Sequence, residues 1–435
     1  MALLGLPGSA SAAPWLFLSD IHFDPRSRST VPSYPGEDTN LVLLRASIAE
    51  MKRVDPAPPV VVITGDFLAH HFDSSKAIPT MKALAVRFNA AFPQAQFVIA
   101  LGNEDSACGD YALTLNAPFL PAVAAAWEPL VNRRGAAPAF LRTFSRDGFY
   151  TATLPIPHLR AVVIDDVFWS TRYHTPCGGK SAGGQTLSAL RAALQHSDDD
   201  RHWIVGHIPP GIDAFSTIQL FHRLVVAPFL EPSARQGFLA LANDSRSHVT
   251  LVLMAHTHKF SYRVDATGGT HAAPIFIIPA VSPIFANAPS FLTVNVRPDG
   301  AIADADDHAF LNGRWRDIGG TRTLGLAAVT APELLALQSR LAASPALRAT
   351  YARLYNAGAR PEIDEKNWRA YWCTTTAFTA GEFDACIGHG AGISLITARG
   401  IRVIAVAALG LVALIAVAGA LVYRFRRKRK SAPGS

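Results

Sequence analysis

Five short apolar runs, each ending in a chemistry-bearing segment, constrain this 435-residue chain more than any other feature. WLFLS leads into Asp20-Ile21-His22, VVVIT into Gly65-Asp66, and FVIAL into Gly102-Asn103. HWIV leads into Gly206-His207 and LVLMA into His256-Thr257-His258. A short apolar run closed by a polar residue reads as a buried strand whose C-terminal end opens into a loop. Five such ends can meet at one cleft, joining carboxylates from the early segments to three imidazoles from the late ones.

Such a donor set suits phosphate-ester hydrolysis. The reaction needs a nucleophile at neutral pH and stabilisation of charge on the transferring oxygens. Two divalent cations supply both, and a shared hydroxide would be the attacking group because coordination lowers the pKa of water. Nitrogen and oxygen donors favour Zn, Mn or Fe over Ca, and availability outside the cytoplasm favours Zn. Singly, each motif says little: His207 alone could be a hydrogen-bonded core histidine, and Asp20 a loop cap. The information lies in five of them, in order, behind strand-like runs.

The arrangement resembles the calcineurin-like metallophosphoesterase superfamily, whose pattern is D-x-H, G-D, G-N-H, G-H and G-H-x-H. The resemblance implies Asp66 as the bridging carboxylate. It puts Asp20, His22 and His258 on one metal and Asn103, His207 and His256 on the other. The last glycine of the pattern is Ala255 here. The family's histidine after Asn is replaced by Glu104, in LGNEDSACGDY. A glutamate donates a proton only if burial raises its pKa, and neighbouring cations oppose that. The GD-x-x-x-H spacing of Asp66 and His70 resembles the acid-sphingomyelinase-like branch and related endopolyphosphatases and implies His70 as proton donor or phosphate-oxygen contact, with His71 as a stand-in. The plainer reading, two histidines flanking a helix start, stays open. IPAVSPIFANAPSF, framed by Pro279 and Pro283, resembles a late strand-and-loop segment of the same branch.

The ends of the chain speak to location. Residues 403–423, VIAVAALGLVALIAVAGALVY, carry no charge and are long enough to span a bilayer as a helix. Arg424, Arg426, Arg427, Lys428, Arg429 and Lys430 follow, marking the cytoplasmic side. These six cations account for all but one of the net +7, so no basic surface for nucleic acid is implied. The expectation is a single-pass type I protein with its catalytic part outside the cytoplasm and residues 424–435 inside. Residues 1–13 resemble a truncated secretory signal, with an A-S-A site at Ala10-Ser11-Ala12 but no basic start. Four cysteines suit an oxidising compartment. Cys373 and Cys386 are expected to pair, and Cys108 with Cys177 is a second candidate among three connectivities.

Alternating strand-like and helix-like stretches predict an α/β domain over 14–320, which the resemblance makes a four-layer αββα sandwich. Strand-like runs also occur at 161–166 and 275–280, and residues 40–54 and 187–195 read as helices. Loops 26–39, 108–120 and 169–184 are rich in Pro, Gly and Ser and are expected to border the cleft. Residues 325–395 predict a small helical subdomain. Thr330 and Glu333 read as a capping box, Leu334, Leu337 and Leu341 as one apolar face, and Ser344-Pro345 as a second helix start ended by Gly358. Trp368, Tyr371 and Trp372 precede the cysteine pair and read as core packing.

The functional expectation is a membrane-anchored, outward-facing phosphodiesterase acting on a lipid head group or nucleotide-type diester. A polyphosphatase or phosphomonoesterase on the same metals is the alternative enzyme. A metal-binding surface module without turnover is the alternative of another class, and Glu104 is its best argument.

Overall fold

A computed structural model describes residues 13–195, 200–219 and 226–388. Twelve strands form two six-stranded sheets. The first holds β1 (Trp15–Leu18), β2 (Val60–Thr64), β3 (Gln96–Ala100), β10 (Ser290–Val296), β11 (Ile302–Leu311) and β12 (Arg314–Gly320), in the order β12-β11-β10-β1-β2-β3. The second holds β4 (Tyr150–Thr153), β5 (Leu159–Val163), β6 (Arg201–Val205), β7 (Val249–Met254), β8 (Ser261–Arg263) and β9 (Ile275–Ile277), in the order β4-β5-β6-β7-β9-β8. All five apolar runs are therefore strands. β1–β2–β3 and β5–β6–β7–β9 run parallel within their sheets; β10, β11 and β12 extend the first sheet antiparallel on one side, and β4 and β8 are antiparallel edges of the second.

The near-continuous apolar composition of these strands follows from burial on both faces. Trp203 of β6 packs on Trp15 and Phe17 of β1, with ring centroids 5.1 and 6.0 Å apart, and joins the sheets face to face. On the other side of the first sheet lie α1 (Leu41–Val54), α2 (Ala77–Ala91) and α3 (Phe119–Val131), with buried Trp127 set against Phe67, Phe88 and Phe97. α4 (Phe140–Asp147) packs against α3, while α5 (Gly183–Leu194) pairs with α7 (Pro232–Ala242) beside β5. Asn40 caps α1 by accepting from the amide of Leu43. α5 begins four residues before the expected Leu187.

After a short α6 (Ala214–Gln219), the C-terminal helices are α8 (Ala331–Ala343), α9 (Pro345–Tyr355), α10 (Trp368–Thr374) and α11 (Ala380–Ile387). Leu334, Leu337, Leu341, Tyr351 and Leu354 enter the same hydrophobic core as the sheets. Ser344 caps α9 through the amide of Leu347, and the amide of Gly358 closes it on the carbonyl of Arg353. The capping box expected at Thr330 and Glu333 is absent. Thr330 makes no side-chain cap, and the Glu333 carboxylate accepts from the amide of Ala327 rather than that of Thr330. A capping box forms at Thr379 and Glu382 of α11. Both expected disulfides are present, with Cα atoms 5.7 Å apart for Cys373–Cys386 and 5.8 Å for Cys108–Cys177. Among the described residues no helix is long and apolar enough to cross a membrane. The apolar stretch 403–423, its basic flank and residues 1–12 lie outside the described residues.

Candidate metal centre and cleft

The five segments meet. Each leaves the C-terminal end of a parallel strand, β1, β2 and β3 from one sheet and β6 and β7 from the other, the edge where open α/β sheets place their crevices. Backbone hydrogen bonds stitch the loops together: the Asp20 amide donates to the Gly65 carbonyl at 3.0 Å and the His22 amide to the Asp66 carbonyl at 2.9 Å. His207 crosses between the sheets, its Nδ1 2.7 Å from the carbonyl of Thr64.

The motif glycines are there because nothing larger fits. A Cβ on Gly65 would lie 2.7 Å from the amide of Gly102, and one on Gly102 would run into the Asp66 carboxylate. One on Gly206 would press on the Asp166 carboxylate. The site also holds strain. Asp20, His22, Asp66, His256 and His258 all have positive φ, between 43° and 65°, a region that costs side-chain-bearing residues on the order of 1–3 kcal/mol each. Five of seven expected ligands in that region means that their aim is imposed by the surrounding fold.

Three groups of donors result among the described residues: Asp20, His22 and His258; Asp66, His207 and His256; and, overlapping the first at the rim, His22, Asp38 and His70. Asp66 joins the first two, with one carboxylate oxygen 3.4 Å from His22 Nε2 and 3.1 Å from His207 Nε2. Asn103 extends the second group, its Oδ1 3.1 Å from His207 Nε2. In the first group Nε2 of His22 and Nε2 of His258 face each other at 3.1 Å.

These distances call for positive charge between the donors. His22 Nδ1 faces the Leu68 carbonyl, as His207 Nδ1 faces that of Thr64, so in the neutral rings the inward Nε2 atoms are bare acceptors. They point at other acceptors. Both oxygens of Asp20 are buried without a hydrogen-bond partner, an arrangement that is costly unless a cation occupies the space between. Burial pushes His22 down to about 4 and His256 to about 3, and lowers His258 well below the usual range, so these rings keep lone pairs to give. Burial also pushes His207 downward, but the adjacent Asp66 carboxylate outweighs it and raises the ring to about 10. A proton there takes the place a metal would fill. Burial raises Asp20 to about 7.

His70 lies at the rim. Its ring stacks on His22 with centroids 4.3 Å apart, and its Nδ1 is 2.9 Å from Asp38, whose other oxygen accepts from the His70 amide. Its Nε2 faces the cleft, 4.0 Å from Glu104. Burial lowers its pKa and the Asp38 hydrogen bond raises it, with a net upward shift. His71 is exposed and also lines the cleft. Glu104 is buried, with its amide donating to Asp66 at 2.8 Å. Burial, then the nearby Asp66, raises its carboxyl to about 9.

Several working residues were not singled out in the sequence. Asp38 orients His70. Asp105 accepts from the amides of Phe67, Leu68 and Gly102, locking two ligand loops together. Asp166 accepts from the amides of His207 and Ile208. Asp110 accepts from Asn103 Nδ2 at 2.8 Å, turning the carboxamide oxygen inward. The Tyr111 hydroxyl is 3.1 Å from His256 Nε2. The adjoining cleft measures about 580 Å³, and Tyr355, Glu362 and Thr374 of the C-terminal segment help to line it.

The calcineurin-like phosphoesterase family model matches residues 13–260. The chain is 25% identical over 274 residues to the sphingomyelinase phosphodiesterase D of Dictyostelium discoideum, covering 59% of this chain and 56% of that protein. It is 24% identical over 316 residues to the acid sphingomyelinase-like phosphodiesterase 3b of Mus musculus, covering 65% of each. It is 21% identical over 314 residues to the mouse cyclic GMP-AMP phosphodiesterase SMPDL3A, covering 65% of this chain and 67% of that one. The matched part thus spans between just over half and two thirds of these relatives' lengths. With a family model matching more than half of its length, the chain belongs to the calcineurin-like phosphoesterases.

Proposed function

We propose that this protein is a metal-dependent phosphodiester hydrolase acting on a lipid head group or a nucleotide-type diester. One observation carries the reading: one oxygen of the buried Asp66 carboxylate lies between His22 Nε2 and His207 Nε2, beside the unpartnered oxygens of Asp20. Asp20, His22 and His258 would hold one divalent ion and Asn103, His207 and His256 the other, with Asp66 shared. When bound, such a pair supplies a nucleophile at neutral pH and neutralises charge on the transferring phosphoryl group. The chain's own residues do the rest. His70, fixed by Asp38, delivers a proton from Nε2 to the leaving oxygen. Phe285 stacks edge-on against His258 and His70, and its half-exposed ring helps wall that side. The relatives, named as sphingomyelinase-like and cyclic-dinucleotide phosphodiesterases, favour the diester. Residues 403–423 with their basic flank serve in this reading as an anchor, and the two disulfides suit a domain outside the cytoplasm.

The test is a substrate panel with added Zn or Mn: bis-p-nitrophenyl phosphate, p-nitrophenyl phosphate, sphingomyelin, a nucleotide diester and polyphosphate. The diesters are expected to turn over fastest. A wide preference for the monoester or polyphosphate would reassign the substrate class, and metal binding without turnover of any ester would leave a non-catalytic module.

A further inference from the structure

Among the described residues three Lys and Arg side chains line the cleft, and they differ in what they already hold. Lys259 is buried and bonded to Asn356, Glu362 and the carbonyl of Phe285. Arg263 is buried too, and its terminal nitrogens donate to the carbonyls of Thr374 and Ile212, tying the C-terminal segment to the second sheet. Arg172 is different. Its side chain is 67% exposed, and its guanidinium lies over the Tyr111 ring, 4.4 Å from the centroid. Its hydrogen bonds to the site are long, 3.3 Å to the Tyr111 hydroxyl and 3.4 Å to Asp110.

Those two anchors matter. Tyr111 also touches His256, and Asp110 also holds Asn103. Arg172 is therefore one group away from two expected ligands of the same ion. Its pose is built into the chain. The Cys108–Cys177 disulfide joins the loop carrying Asp110 and Tyr111 to the loop carrying Arg172. Backbone bonds from Leu115 to Lys180 and from His174 to Tyr111 reinforce the junction. An exposed ion pair with Asp110 contributes little by itself. A planar guanidinium held at the mouth of a phosphoester cleft, with donors to spare, is matched to phosphoryl oxygens.

We propose that Arg172 is a substrate-contacting residue, its guanidinium donating to a non-bridging phosphoryl oxygen of the anion bound beside Asn103, His207 and His256. The proposal rests on the two-metal hydrolase reading of the same cleft. The test uses the full chain loaded with Zn or Mn, with inorganic phosphate binding followed by calorimetry and bis-p-nitrophenyl phosphate hydrolysis followed in parallel. Arg172→Ala is expected to weaken phosphate binding and raise KM by about 10- to 100-fold, the worth of a hydrogen bond to a charged group, with bound metal unchanged. Arg172→Lys is expected to recover part of the loss. Unchanged phosphate affinity in Arg172→Ala overturns the proposal. So does a fall in bound metal at unchanged phosphate affinity, which would assign Arg172 to holding Asp110 and Asn103. Wild-type protein that binds phosphate but hydrolyses no ester defeats the hydrolase reading alone, and the phosphate arm still decides Arg172. Wild-type protein that binds metal but no phosphate defeats both.

Discussion

The carboxamide oxygen of Asn103 lies 3.1 Å from Nε2 of His207, a ring whose other nitrogen already faces the carbonyl of Thr64. Two acceptors at hydrogen-bond distance need a positive charge between or beside them. A bound cation meets that need, and so does a protonated His207. Adding Zn or Mn to metal-free protein should therefore raise the melting temperature and release protons on binding. Titration in two buffers of different ionisation enthalpy reads that proton release directly.

One Asp66 carboxylate oxygen lies within 3.4 Å of an imidazole nitrogen from each donor group. Asp66→Asn keeps the shape and removes the charge. Bound metal is expected to fall from two equivalents to one or fewer, with hydrolysis dropping to background. Retention of two equivalents would show that another group bridges.

His70 and Asp38 form a unit. His70→Ala is expected to lower turnover by about 10²-fold or more while metal content is kept. The Asp38 hydrogen bond favours the protonated ring, so activity that needs this proton falls as pH rises through the raised pKa. In Asp38→Asn the alkaline limb of the kcat profile should move to lower pH, because the charge that supports the imidazolium is gone. An unmoved limb would place the proton donor elsewhere, with Glu104→Gln the next variant to measure.

Tyr111→Phe deletes the hydroxyl beside His256 and nothing larger. Loss of such an outer partner typically weakens metal binding about 10- to 100-fold. The expected readout is a weaker apparent affinity for one of two metal equivalents, measured by competition with a chelator.

Asp307 of β11 is fully buried, and neither of its oxygens has a hydrogen-bond partner. Burial raises its pKa well above the usual carboxylate range. Above the unfolded pKa of about 4 the folded state then holds more protons than the unfolded one, so stability falls as pH rises. Asp307→Asn mimics the neutral acid. It should raise the melting temperature at neutral pH, and that gain should shrink as the pH approaches 4.

Gly65 has φ +98°, and a Cβ there would meet the amide of Gly102 and Nδ1 of His207. Gly65→Ala should therefore cost more than about 1 kcal/mol and loosen the Asp66 loop, seen as a lower melting temperature with reduced metal content.

How much of this was legible in the chain depends on the reach of the signal. A buried strand announces itself by a local run of apolar residues, and a motif glycine marks a place where backbone comes close. Those local signals located all five strand ends and two of the C-terminal helices, α8 and α9. Thr330 and Glu333 show the limit of local pattern: the spacing of a capping box is present, but a nearby amide at Ala327 takes the carboxylate. Asp38, Asp105, Asp110 and Asp166 carry no local mark of their partners in the sequence. Their partners are His70, the amides of Phe67, Leu68 and Gly102, Asn103 and His207, and only the closed sandwich brings most of these near. The same holds for the five ligand residues at positive φ, where no local preference asks for that backbone and the surrounding hydrogen bonds impose it. Sequence alone thus determined which atoms were available for chemistry, because strand burial and loop exposure are local properties. Tertiary structure decided which way those atoms point and what orients them, because both depend on groups that meet only when the two sheets pack.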